Sequence, residues 1–198
     1  MPKKSTLRSM VLCLTLVCLV CSALLGGVYV LTKDKIAMEQ IRKTNDAISL
    51  VFPSGEDGAY FDNQPSSEVM RVALDGDSVS VYPAEKNGEL VGYAVESSTS
   101  KGFNGTIVVM VGFDADGNIM GTSVISHSET PGLGSKMTEP SFSSQFVGRN
   151  PASFRLSVSK DGGDVDAITA STITSRAYCD ALDRAWRVYQ KVVNDNSK

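Results

Sequence analysis

Residues 11–31 read VLCLTLVCLVCSALLGGVYVL. No charge interrupts them, and almost every side chain is apolar. Nothing else in the chain narrows its possible folds as much. At about 1.5 Å per residue a helix of this length reaches roughly 30 Å, the thickness of a bilayer's hydrocarbon core. Thr15 and Ser22 can return their hydroxyl hydrogen bonds to helix carbonyls. The run therefore predicts a transmembrane helix. A removable signal peptide is the competing reading. The run is long for such a segment, and no clear small-x-small cleavage site follows it. A lipoprotein leader fits less well, because Val17 and Val20 stand where a small residue should precede Cys18 and Cys21.

The flanks set an orientation. Lys3, Lys4 and Arg8 precede the run with no acidic residue among them, whereas the far flank, TKDK, is mixed. The positive-inside rule keeps such an N-terminus in the cytoplasm and sends residue 33 onward across the membrane. All 22 acidic residues follow the run, and nothing there forms a basic stripe, which argues against a nucleic-acid partner. Cys13, Cys18 and Cys21 lie inside the run, so Cys179 has no partner outside it for an internal disulfide. With a single histidine, His127, there is no zinc-ligand spacing and no predicted metal site.

The part beyond the run is long enough for one domain with its own core. Residues 33–50 predict a helix, with Ile36, Ile41, Thr44 and Ile48 along one stripe, before Pro53 and a loop over 53–67. Strands are predicted at Ser78–Pro83, Leu90–Glu96, Thr106–Phe113 and Ile119–Ser126, the last two forming a hairpin around DADGN. Thr99–Gly105 is a turn-rich segment, and SHSETPGLGSKM, residues 126–137, is a loop by composition. Phe142, Phe146 and Val147 predict a short helical turn on the sheet. Phe154–Val158 alternates as a further strand, and SKDGGD follows as a turn. The last element is a helix from about Thr172 to Val192. Its buried face is predicted to comprise Ile173, Ala177, Ala181, Leu182, Ala185, Val188 and Val192. Tyr93 and Phe103 are core candidates, with Phe103 also able to flank a ligand. Trp186 and Tyr189 fit packing roles.

This order predicts an α+β fold: one N-terminal transmembrane helix followed by a single extracytoplasmic domain with a largely antiparallel sheet and flanking helices. The expected layout is a cytoplasmic N-terminus over 1–10, the span over 11–31, a helical connector and loop over 32–67, and the main domain over 68–198.

One stretch resists that plain description. In DAITASTITSRA, residues 166–177, five hydroxyls (Thr169, Ser171, Thr172, Thr174 and Ser175) crowd around the start of the last helix, where one cap suffices. A helix N-terminus carries free N–H donors and the positive end of the helix dipole. The cluster reads either as an over-polar cap or as a phosphate site, with Asp166 placed to orient it from upstream. No GxSxG elbow accompanies it, so a serine hydrolase is not indicated.

Taken together, SHSETPGLGSKM and VDAITASTITSRA resemble the paired signatures of the RnfG/NqrC family, the FMN-bearing subunits of ion-translocating electron-transfer complexes. The Gly102–Gly105 turn and QFVG at Gln145–Gly148 extend the resemblance over most of the exported part, and the length favours the Rnf-type subunit. The resemblance implies covalent FMN, its phosphate esterified by a dedicated flavin transferase to the last threonine of a D-x-x-[ST]-G-A-T pattern. On this chain Asp166 is the leading acid, Thr169 the first hydroxyl and Thr172 the acceptor. Ala170-Ser171 replaces the usual Gly-Ala. Should that glycine be left-handed, alanine there costs about 1 kcal/mol. Ser171 and Thr174 flank the acceptor. His127, Glu129, Thr130, Gly132, Leu133 and Gly134 are the implied cofactor neighbours, and Lys136 is placed to neutralise phosphate.

The implied function is a single-pass flavoprotein subunit that relays electrons in a ferredoxin:NAD oxidoreductase complex. Its implied partners are other membrane and iron–sulfur subunits, and it has no catalytic residue of its own. Two other readings stay open: an FMN-free structural or partner-binding module, and the equivalent subunit of a different membrane redox complex.

Overall fold

The computed structural model describes residues 7–52 and 69–196. The predicted loop at 53–67, together with Pro53, lies outside them. Two compact units divide the chain, residues 1–42 and 43–198.

The helix α1 (Leu7–Val51) carries the long apolar run in its first-unit part. Over that run it is apolar on all sides, with the large side chains exposed in the isolated chain, and it is long and apolar enough to cross a membrane. Thr15 Oγ1 donates to the Val11 carbonyl at 2.8 Å, so its hydroxyl is satisfied within the helix. The stripe expected between Ile36 and Ile48 does not hold. Ile36 and Ile41 are exposed, and only the last turns of α1, with Ala47, Ile48 and Val51, are buried, because only these belong to the unit that contains the sheet.

The second unit is built on a five-stranded antiparallel meander in the order β1 (Met70–Leu74), β2 (Asp77–Lys86), β3 (Glu89–Thr99), β4 (Ile107–Asp114) and β5 (Ile119–Ser126). Four of the five expected strands are present, and β1 is an addition. Two-residue turns make its neighbourhood: Asp75-Gly76 joins β1 to β2, and Asn87-Gly88 joins β2 to β3. All four residues have positive φ, as a type I′ hairpin turn requires. The DG and NG pairs were the available signals.

Both faces of the sheet are covered. The helix α3 (Thr172–Asn196) lays Ala177, Ala181, Leu182, Ala185, Val188 and Val192 against Val81, Tyr93, Val95, Val109, Val111 and Phe113. On the opposite face, Ala47, Ile48, Val51 and Phe52 pack on Tyr82, Ala84, Ala94 and Met110. Coverage on both sides explains why β4 reads as an unbroken apolar run instead of an alternating one. Trp186 stacks on Tyr189, their ring centroids 5.3 Å apart, and both meet Phe113. Cys179 is buried in the same core, and burial pushes its thiol up to about 12, which removes it as a nucleophile.

Several expectations are corrected. Phe154–Val158 is not a strand. Its alternation is real, since Val158 is buried and Phe154 and Leu156 pack against the core. Its backbone instead pairs locally: the Val165 N–H donates to the Ser157 carbonyl at 3.0 Å, and the Arg155 N–H to Asp164 Oδ2 at 2.7 Å. Phe142 and Phe146 do pack on the core from a short helix, α2 (Pro140–Ser143), and the 3₁₀ turn after it, but Val147 is exposed. It follows the turn in extended conformation. Ile173 and Phe103 also leave the core, at 49% and 64% exposure, for a reason that belongs to the site.

Candidate functional site

The first turn of α3 extends to a region where loops, not strands, face it. Phe103, Glu129, Thr130, Leu133, Gly134, Ala170, Ser171, Thr172, Ile173 and Thr174 line a pocket of about 350 Å³ there. Three loops converge: the turn after β3, the loop after β5 and the hydroxyl segment. Phe103, Ile173 and Leu133 form an apolar rim, Leu133 being 44% exposed. Ile173 stands on the same helical stripe as Ala177, but the surface beneath the first turn is this pocket.

A buried carboxylate ties the loops together. Glu129 is 5% exposed. Its Oε2 accepts a 2.5 Å hydrogen bond from Thr174 Oγ1, and its Oε1 accepts one of 3.0 Å from the Asn104 N–H. Asn104 Nδ2 also donates to Thr130 Oγ1 at 3.0 Å. Glycine is needed on both sides of the carboxylate. A Cβ on Gly134 would stand 2.5 Å from Glu129 Oε2, and one on Gly102 would stand 2.8 Å from Oε1. Among the described residues no cation lies within ion-pair distance of Glu129. Asn104 was not anticipated from sequence, although the glycines around it marked the turn.

The hydroxyls divide by task. Ser175 Oγ accepts from the Ile168 N–H at 2.9 Å and donates to the Ser171 carbonyl at 3.0 Å, locking the entry to the helix. Thr174 is committed to Glu129. Ser171 immediately precedes the helix, and its carbonyl accepts the Ser175 N–H at 3.0 Å. Ser171 is 7% exposed and Thr172 is half-buried, and among the described residues neither hydroxyl has a hydrogen-bond partner. Ala170, with φ +63°, is left-handed, an uncommon state for a residue with a Cβ.

The other predicted residues are placed apart from this pocket. His127 does not line it; its Nδ1 accepts the Glu129 N–H at 3.1 Å and so shapes the loop. Gly132, at φ +74°, makes the turn in that loop, and its N–H donates to Ser135 Oγ at 2.9 Å. Thr169, Asp166 and Lys136 line a separate, more polar cleft of about 370 Å³ with Glu139, Ser141 and Gln145. There the Asp166 carboxylate accepts from Ser159 Oγ at 3.2 Å, and its backbone N–H donates to Gln145 Oε1 at 2.9 Å. Arg176 turns outward to Asp161 with bonds of 2.6 and 2.8 Å, which hold the Asp161 carboxyl below its ordinary range.

Comparison with known proteins decides the relationship. Residues 102–187 match the FMN-binding domain, and residues 1–51 match the RnfG N-terminal region. The G-type subunit of the ion-translocating oxidoreductase complex from Pasteurella multocida is 39% identical over 178 residues, covering 83% of this chain and 84% of the relative. The chain belongs to the RnfG/NqrC family. The corresponding protein from Methanosarcina acetivorans is 34% identical over 188 residues, with 93% and 95% covered, so the similarity runs nearly end to end. The crystal structure of the C-type subunit of the Na(+)-translocating NADH-quinone reductase from Parabacteroides distasonis aligns with a TM-score of 0.55. It has 21% identity and covers 78% of this chain and 92% of that one. At that identity the likeness shows a shared fold. The FMN-binding match includes every residue lining the pocket.

Proposed function

We propose that this chain is the membrane-anchored flavoprotein subunit of an Rnf-type complex, with FMN joined through its phosphate to Thr172 Oγ1. The observation that carries this reading is the division among the hydroxyls. Thr174 and Ser175 are spent on structure, Thr169 lines the other cleft, and Ser171, though its hydroxyl is also unbonded among the described residues, is buried. Thr172 presents an uncommitted hydroxyl at a helix N-terminus, beside an apolar-rimmed pocket. The N–H groups of that first turn favour the single negative charge of a phosphodiester. The pocket falls within the size range of small-molecule sites and has a mostly apolar lining with a few polar groups, which suits a flavin nucleotide.

The flavin supplies electron transfer, and the chain supplies attachment, placement and electrostatics. Phe103, Leu133 and Ile173 offer an apolar surface for a flat ring, and Gly134 keeps the pocket wall open next to Glu129. In this reading a flavin transferase forms the ester, and the electrons pass to and from other membrane and iron–sulfur subunits. The N-terminus is cytoplasmic and residues 68–198 are extracytoplasmic, as the basic leader Lys3, Lys4 and Arg8 argues.

The test is the intact mass of the full chain expressed with its transferase, followed by peptide mapping. The expected result is an adduct of one FMN less water on Thr172. It should vanish in Thr172→Val, which should unfold at the wild-type temperature, and persist in Ser171→Ala. A chain that stays unmodified beside an active transferase overturns the reading.

A further inference from the structure

Each rim residue of the pocket is the sequence neighbour of a group that touches the Glu129 carboxylate. Phe103 precedes Asn104, whose N–H reaches Oε1 at 3.0 Å. Ile173 precedes Thr174, whose hydroxyl reaches Oε2 at 2.5 Å. Leu133 precedes Gly134, whose Cα leaves no room for a Cβ against Oε2. The three rim side chains thus come from three separate segments, and one buried carboxylate is common to all three.

Rim residues with exposures between 44% and 64% gain little from core packing, so their placement depends on what holds the backbone beneath them. An acceptor that is buried and lacks a cation is held by its hydrogen bonds alone, and removing one costs the desolvation of the group left behind. We infer that Glu129 is a positioning residue. It sets the spacing of Phe103, Leu133 and Ile173 before the cofactor arrives, and thereby fixes the orientation of the flavin ring attached nearby. This inference rests on the Thr172 attachment proposed above. It assigns Glu129 an indirect role, exerted through Asn104, Gly134 and Thr174.

Four variants of the full chain, expressed with the transferase, test it: Thr174→Val, Thr174→Ser, Glu129→Asp and Glu129→Gln. Flavin loading is read by intact mass, folding by thermal unfolding, and ring immobilisation by the flavin's induced visible circular dichroism and fluorescence anisotropy. Thr174→Val keeps the volume but removes the donor. Glu129→Asp keeps the charge but withdraws the carboxylate by one methylene. Both are expected to fold and to load flavin, yet to lose induced dichroism and anisotropy relative to wild type. Thr174→Ser is expected to restore both signals, and Glu129→Gln, which preserves reach, to retain more of them than Glu129→Asp. Loaded Thr174→Val and Glu129→Asp with wild-type signals overturn this inference alone. Wild type without flavin overturns it together with the attachment reading.

Discussion

Gly112 of β4 and Gly121 of β5 face one another across the sheet, and Val51, at the end of α1, fills the space that two absent side chains leave. A Cβ on Gly112 would lie 2.7 Å from the Val51 carbonyl oxygen, and one on Gly121 would lie 2.8 Å from the same atom. This bare patch lets helix backbone rest on sheet backbone, and Ile48 and Phe52 complete the contact.

Gly121→Ala should therefore destabilise the domain by about 1–3 kcal/mol, the range for overpacking, because the obstructing atoms are backbone and have no rotamer to retreat into. Chemical denaturation followed by tryptophan fluorescence measures this, since Trp186 stacks on Tyr189 and meets Phe113 against the core on the opposite face. Gly132→Ala is the contrast. Nothing lies within 4 Å of its Cβ position, so its expected cost is the roughly 1 kcal/mol of a left-handed alanine.

Ala170 bears the reverse change. Its φ of +63° is the conformation in which a Cβ crowds the backbone. Ala170→Gly relieves that strain but enlarges the freedom of the unfolded chain, and the expected net effect is a stabilisation of about 0.5–1 kcal/mol. A rise in the unfolding midpoint checks this. A fall would mean that the Ala170 methyl contributes more by lining the pocket than its backbone costs.

Gly134→Ala should strike the Glu129–Thr174 bond directly, as its Cβ would stand 2.7 Å from Thr174 Oγ1 as well as 2.5 Å from Glu129 Oε2. The expected loss is about 2–3 kcal/mol, from crowding plus a weakened hydrogen bond to a charged acceptor. Combining Gly134→Ala with Thr174→Val should cost less than the sum of the two single changes, because both act on one contact. A double-mutant cycle in denaturant checks the shortfall.

Asp180 supplies a pH dependence. Burial raises its carboxyl, but the hydrogen bonds from Lys101 Nζ at 2.5 Å and Thr99 Oγ1 at 2.7 Å outweigh burial, and the net shift is below the ordinary 3.8. A carboxyl lowered on folding adds stability above its unfolded value and loses it as pH falls through the folded one. Lys101→Met should thus destabilise the protein near neutral pH, and the gap from wild type should narrow as pH falls below about 4. Urea midpoints measured across that range test the sign. A gap that widens in acid would contradict it.

The hairpins and the terminal helix were legible because their signals are local. Alternating residues, Asp/Gly turns and a helical apolar stripe each report a backbone preference within a few positions. Phe154–Val158 shows the limit of that reasoning. Alternation reports burial on one side but does not say whether another strand is available to pair, and here the backbone bonds went to Asp164 and Val165. Ile173 failed for a related reason. A helical stripe identifies a face, but whether sheet or pocket lies beneath its first turn depends on where the strands end.

By itself, the sequence determined an apolar helix long enough for a bilayer, an antiparallel domain after it, and the two motif segments that carry the family relationship. Those follow from composition, periodicity and short motifs, which act over neighbouring residues. Only the tertiary structure decided which hydroxyls of the five are tied up, those of Thr174 and Ser175, and which residues share the pocket beside Thr172. It brought Asn104, Glu129 and Thr174 to one carboxylate and left Asp166 and Thr169 on another cleft. A hydrogen bond spanning 45 positions of chain has no local signature, because its two ends are brought together only by the tertiary fold.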